Sequence, residues 1–263
     1  MTNPIRPQVG GVLSADIAVP EHERELRFYS RVLTTGERPL WREDLMNNLG
    51  VPIIGVGPRG REYAELPLQW MPHIQVADVA ASVERASELG GQVLLHSRDE
   101  AGRSQWAVLL DPNGAAFGVI PVVPAAMIPA EMAEPGREQA IGQIAWLDLT
   151  VPDAPATRTF YEAVIGWRSQ DVAMRDGDES YADYAMLGGA GSAIAGICHA
   201  RGVNADLPAV WLIYLPVADL DESLRRVEEE GGSVLRVMRG SDGEARFAVV
   251  SDPVGAFFAL AAG

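Results

Sequence analysis

The chain has 263 residues, 48% hydrophobic and 22% charged, a balance that excludes a disordered or collagen-like polymer and leaves room for two domains of about 130 residues. Asp and Glu number 36 against 21 Lys and Arg, and the net charge of −15 would repel a phosphate backbone, so nucleic acid is not an expected partner. Cys198 is alone and cannot form an internal disulfide, the opening MTNPIRPQVG lacks the basic start and apolar stretch of a secretory signal, and no apolar run reaches the length of a membrane helix. The expectation is a cytoplasmic protein, a monomer or homodimer, that does not span a membrane.

In chain order, the alternation Ile17-x-Val19-x-Glu21 reads as a strand leading into a helix-like run over 22–33, and Ile74-x-Val76-x-Asp78 repeats that entry. Glu21 and Asp78 are placed to cap their helices by accepting from the first free amides. The second helix runs to Leu89, where Gly90-Gly91 supplies the left-handed turn that stops it. A strand starts at Val93-Leu94, and apolar segments 107–110 and 116–120 flank the turn Asp111-Pro112-Asn113-Gly114. The unit is βαβββ.

The segment 68–94 returns at 209–235, an offset of 141 that holds from Trp70/Trp211 to Phe117/Phe258 and matches DPNGA at 111–115 with DPVGA at 252–256. The earlier block 17–33 returns at 149–165, offset by 132, so the second copy is nine residues longer between the blocks (141 − 132). The prolines of segment 121–140 suit an extended linker with its boundary near Glu131. This divides the chain into domain 1 (10–123), linker (124–140) and domain 2 (141–263), an α+β protein of four βαβββ modules.

Phe28-Tyr29 and Phe160-Tyr161, the VADV and VADL helix entries, the terminal Gly-Gly pairs and the DPxGA hairpins together resemble the vicinal oxygen chelate superfamily of glyoxalase I, bleomycin-resistance proteins and extradiol dioxygenases. The resemblance covers both copies and implies two tandem domains, each pairing two modules around a cavity. It also implies metal ligands on the first, fifth and eighth strands, at positions that here hold Ser14, Met71 and Gly118, then Trp146, Leu212 and Ala259. None offers the imidazole, carboxylate or thiolate that the superfamily's divalent metals need. The expectation is therefore no metal and no other cofactor.

Within those implied cavities, strand parity selects the side chains that can meet a ligand, since successive residues point to opposite faces. It turns Ser14, Asp16, Met71, His73 and Gln75 inward in the first copy, with Asp16 and His73 facing one another across the pocket, and Trp146, Asp148 and Tyr214 inward in the second. Asp16 and His73 are the candidate catalytic pair, because a carboxylate orients an imidazole for proton transfer. Ser14, Met71, Gln75, Trp146, Asp148 and Tyr214 are candidate ligand contacts. Trp70, Trp211, Trp106 and Phe247 read as core, His22 and His96 as a solvated helix start and a loop, and Cys198 as a buried inert thiol. Arg42-Glu43-Asp44 and the charges at 225–230 read as solvated loop and helix faces, and the glycine-rich stretches 55–60 and 188–196 as turns and lids.

The expected function is metal-free binding of a small molecule, such as an antibiotic or aromatic natural product. The alternatives are a cofactor-free isomerase, lyase or cyclase using Asp16 and His73, a glyoxalase- or dioxygenase-like metal enzyme with displaced ligands, and an interaction scaffold with filled cavities.

Overall fold

The computed structural model describes residues 7–35, 40–48, 50–129 and 141–263. The first copy runs β1 (Val12–Val19), α1 (His22–Val32), β2 (Trp41–Arg42), β3 (Leu45–Asn48), β4 (Val51–Pro58), β5 (Met71–Val76), α2 (Val79–Glu88), β6 (Gln92–Arg98), β7 (Ser104–Leu110) and β8 (Ala116–Pro121). The second runs β9 (Trp146–Val151), α3 (Ala154–Ile165), β10 (Arg168–Asp176), β11 (Glu179–Leu187), β12 (Ala193–His199), β13 (Trp211–Val217), α4 (Leu220–Glu229), β14 (Ser233–Arg239), β15 (Ala245–Ser251) and β16 (Phe257–Ala262). These are four βαβββ modules. Each copy forms one eight-stranded sheet, ordered β2-β3-β4-β1-β5-β8-β7-β6 and β10-β11-β12-β9-β13-β16-β15-β14. The extra length of the second copy goes into the hairpin of β10 and β11, whose strands have nine residues each against two and four in β2 and β3. The boundary expected near Glu131 lies outside the described residues, as do linker positions 130–140.

The local signals act as their chemistry requires. Asp78, Asp153 and Asp219 cap their helices by accepting from Ala81, Ala156 and Glu222, and Gly90 and Gly231 adopt φ of +87° and +89° beyond α2 and α4. Glu21 departs from its expected role: it makes no side-chain cap and pairs with Arg24 instead. A four-atom carboxyl arm at this position folds back less readily than an aspartate's.

The sheets form within copies, but the helices pack between them: α1 lies on α4, and α2 on α3. One apolar core therefore joins both halves. Phe28 and Tyr29 stack edgewise and tilted on Phe258 of the other copy, and Phe160 and Tyr161 on Phe117. Tyr29 donates to Asp252 at 2.8 Å and accepts from Trp70 at 3.0 Å. Tyr161 donates to Asp111 at 3.3 Å and accepts from Trp211 at 2.9 Å. The two tyrosine–aspartate bonds cross the interface, so the Phe-Tyr pairs and DPxGA turns form a two-fold clasp. Ser82 and Ser223 add hydroxyl bonds to the carbonyls of Val164 and Val32.

Glu230 belongs to this interface as well. Expected as solvated charge, its nearly buried carboxylate is held by Arg27 and Arg31 of α1 at 2.8 and 2.9 Å. No helix among the described residues is long and apolar enough to cross a membrane.

Candidate functional site

With the helices packed between the sheets, each opposite face is left to line a cavity, of about 430 Å³ in the first copy and 450 Å³ in the second. The first is walled mainly by apolar groups and carries Asp16, Asp44, Met71 and His73. The second carries Trp146, Asp148, Tyr214, Arg246 and Phe247.

In the first, β1 and β5 are adjacent antiparallel strands, with Ser14 opposite His73 and Asp16 opposite Met71. Asp16 and His73 are thus diagonal neighbours on one wall rather than facing each other across the pocket. The two modules join through their first strands, and that sets their initial residues side by side. Ser14 Oγ lies 2.9 Å from His73 Nδ1, and Asp16 Oδ2 lies 3.5 Å from Nε2. The imidazole bridges a hydroxyl and a carboxylate whose side chain is 53% exposed.

The second copy builds the same constellation from other residues. Trp146, Asp148 and Tyr214 occupy the positions of Ser14, Asp16 and His73, and Asp148 accepts from the indole N–H and the phenol O–H, each at 2.8 Å. Burial pushes the Asp148 carboxyl up to about 6 despite those two donors, and burial together with Asp148 raises the Tyr214 phenol. Both acceptor atoms are thus engaged internally.

Glycines make these rows possible. A Cβ on Gly55 would stand 2.5 Å from Asp16 Oδ1, and one on Gly196 would collide with the Asp148 carboxylate. Both glycines sit in strands rather than in the turns and lids expected of their stretches, leaving space for an aspartate on the neighbouring strand. Gly118 does the same for His73, since a Cβ there would lie 2.7 Å from the imidazole Cδ2. Gly118→Ala, which installs the residue found at the matching Ala259, is expected to turn His73 off Ser14. The imidazole resonances in a histidine-resolved NMR spectrum should shift, with little loss of thermal stability.

Of the other candidates, Met71 lines the first cavity, whereas Ser14, which stands behind His73 as its hydrogen-bond partner, and Gln75 are not among its lining residues. Gln75 is fully buried and its side-chain oxygen accepts the Val123 amide at 2.9 Å, because the chain leaving β8 covers that end of the sheet. Two aromatic residues expected in the core belong to the site. Trp106 is 40% exposed and lines the first cavity, and Phe247 at the matching position lines the second and stacks against Tyr214. Strand β7 offers no alternation that would have revealed its parity. Trp70 and Trp211 are core.

His22 is not a solvated group, since Nε2 reaches the Val56 carbonyl at 2.7 Å. His96 lies within β6 and bonds Ser104; burial, aided by Arg98, lowers its proton affinity. Burial, with Asp148 and Asp183 nearby, raises the Cys198 thiol, which keeps it protonated and inert.

The implied metal positions do not fit a divalent ion. Ser14, His73 and Gly118 share one row across three strands, so the strand-8 position has no donor atom, and Met71 contributes only a thioether. In the second copy the corresponding positions hold an indole, Leu212 and Ala259. Among the described residues, no group of three or more His, Cys, Asp or Glu side chains is arranged to hold a metal.

Paired βαβββ modules enclosing a small-molecule-sized cavity in each of two clasped halves define the class of protein. Residues 143–260 match the family model of the glyoxalase/bleomycin resistance protein/dioxygenase superfamily, and residues 14–120 match that of the glyoxalase-like domain. The chain belongs to this superfamily. It is 28% identical to "Putative glyoxylase CFP32" of Mycobacterium tuberculosis over 221 residues, covering 82% of this chain and 77% of that one. It is 27% identical to the anthracycline biosynthesis protein DnrV of Streptomyces peucetius, covering 78% and 69%. Among solved structures, the 2,3-dioxygenase LapB from Pseudomonas sp. KL28 has the same fold at 12% identity, with a TM-score of 0.54 over 98% of this chain and 94% of that one.

Proposed function

We propose that the protein binds a planar small molecule in its first cavity without a metal. The observation that carries this reading is the exposed Trp106 in a mainly apolar hollow whose wall also carries Asp16 and His73, the latter held by Ser14. An aromatic face with a few placed polar groups is the usual make-up of a ligand site. The likeness to proteins named for anthracycline biosynthesis supports an aromatic natural product as the ligand class. The second cavity, whose carboxylate is engaged by Trp146 and Tyr214, is the lesser candidate.

Calorimetry against a library of aromatic metabolites should give saturable heat, with Trp106→Ala weakening it about ten-fold, consistent with stacking worth roughly 1 kcal/mol or more. A library without a single saturable response would overturn the reading. Metal analysis of protein purified without a histidine tag should find well under one equivalent; near-stoichiometric Zn, Ni or Fe would favour a metal enzyme with displaced ligands.

One observation favours a second reading, cofactor-free proton transfer. Asp16 Oδ2 lies 3.5 Å from His73 Nε2 and favours the tautomer protonated there; in that tautomer Nδ1 accepts from Ser14, and displacement of that hydroxyl by a ligand would present the imidazole as a base. An isomerase, lyase or cyclase would use it so. His73→Ala should then cut turnover by about 10²–10⁴ while changing affinity only a few-fold, whereas equal loss of both identifies binding alone.

A further inference from the structure

Resting on the first cavity as a binding site, we propose that it selects planar ligands bearing a protonated amine, with Asp16 and Asp44 accepting from the ammonium group. Among the described residues, the wall of this cavity contains these two carboxylates and no Lys or Arg. The Asp16 carboxylate has one neighbour of opposite character, His73 at 3.5 Å, and its side chain is half open to the cavity. No hydrogen bond or ion pair engages the Asp44 side chain among the described residues, and its backbone carbonyl alone is used, by Val56. Acceptors of one sign on low-dielectric walls concentrate the field inward, and an ammonium is the partner that meets their hydrogen-bonding capacity.

The second cavity supplies an internal contrast. Asp148 stands where Asp16 does, yet both its oxygens are taken by Trp146 and Tyr214, and the other charged residue lining that cavity is Arg246, paired with Asp242. The duplication kept the aspartate in both copies and left its acceptors open in one. Trp106 strengthens the assignment, since an indole face attracts a cation as well as a flat ring.

Three probes with one ring system and different charge test this: 2-naphthylmethylamine, 2-naphthylmethanol and 2-naphthylacetate, titrated by calorimetry at pH 7. The amine should bind at least about ten-fold more tightly than the alcohol, the acetate weakest, and the preference should shrink as salt is raised. Asp16→Asn and Asp44→Asn should each reduce the preference about three-fold or more, and the double variant should abolish it. Equal affinity for amine and alcohol would overturn the charge selection and leave the binding reading intact. A preference that persists in the double variant would place the amine on the acidic surface and also overturn it. If no probe gives saturable heat, the binding reading itself fails and the inference with it.

Discussion

Asp111→Ala is expected to cost about 3–5 kcal/mol of folding stability, read as a fall of roughly 10 °C in melting temperature or as the equivalent loss in urea unfolding. The Asp111 carboxylate accepts from the amides of Asn113 and Ala115 at 2.8 and 2.9 Å, closing the DPNG turn, and from the Asn113 carboxamide and Tyr161 hydroxyl at 3.2 and 3.3 Å. Alanine leaves these donors unpaired in a nearly closed site, and each orphaned group costs about 1–3 kcal/mol, offset where water can enter. Tyr161→Phe tests the crossing bond separately: the turn stays closed, the Trp211 indole loses its acceptor, and the loss should be about half as large. A parent-like Asp111→Ala protein would remove the clasp as a source of stability.

Glu25→Gln is expected to stabilise the protein at pH 8 and leave it nearly unchanged at pH 5. Glu25 is completely buried on α1, and neither of its carboxyl oxygens has a hydrogen-bond partner within normal distance. Burial first, then the charge of Asp252, pushes its carboxyl up to about 8; Arg24 opposes and Glu21 reinforces the shift. Burial likewise raises Asp252, against the donors that hold it. The folded state keeps Glu25 protonated while the unfolded chain ionises it near the ordinary glutamate value, so the folded state binds more protons between about pH 4.5 and 8. Stability therefore falls as pH rises through that window, by at most about 1.4 kcal/mol per unit for one proton, and levels off above it.

Asp111, Asp252 and Asp148 are raised too and contribute in the same direction, so glutamine should remove one proton's share of the slope rather than all of it. Melting temperatures from pH 5 to 9 for parent and variant check this. Parallel curves would mean that Glu25 ionises in the folded state as it does in the unfolded chain. The matching residue in the second copy is Thr157, whose hydroxyl accepts from Asn113 at 3.0 Å, so the buried acid is peculiar to one side of the clasp.

Duplication, modular order and helix boundaries were legible because they are written in local patterns: a 141-residue echo, aspartates ahead of helices, and glycines after α2 and α4. That Ser14, Asp16 and His73 share one face was legible because parity along a strand depends only on counting, and the same count put Trp146, Asp148 and Tyr214 together. Counting failed for Gln75, where the segment beyond β8 folds over a formally inward position. It was silent for Trp106 and Phe247, on strands whose residues are apolar on both sides.

What the sequence determined by itself was therefore the modules and which side chains of one strand share a face, since these follow from spacing along one chain; Asp44 and Arg246 reach the cavities through tertiary structure alone. Tertiary structure decided which groups meet: β1 beside β5, Tyr29 on Asp252, Tyr161 on Asp111, and Gly55 yielding space to Asp16. Such pairs lie tens to hundreds of residues apart. They are selected by how sheets and helices bury their apolar faces together, a property of the assembled core that no single segment carries.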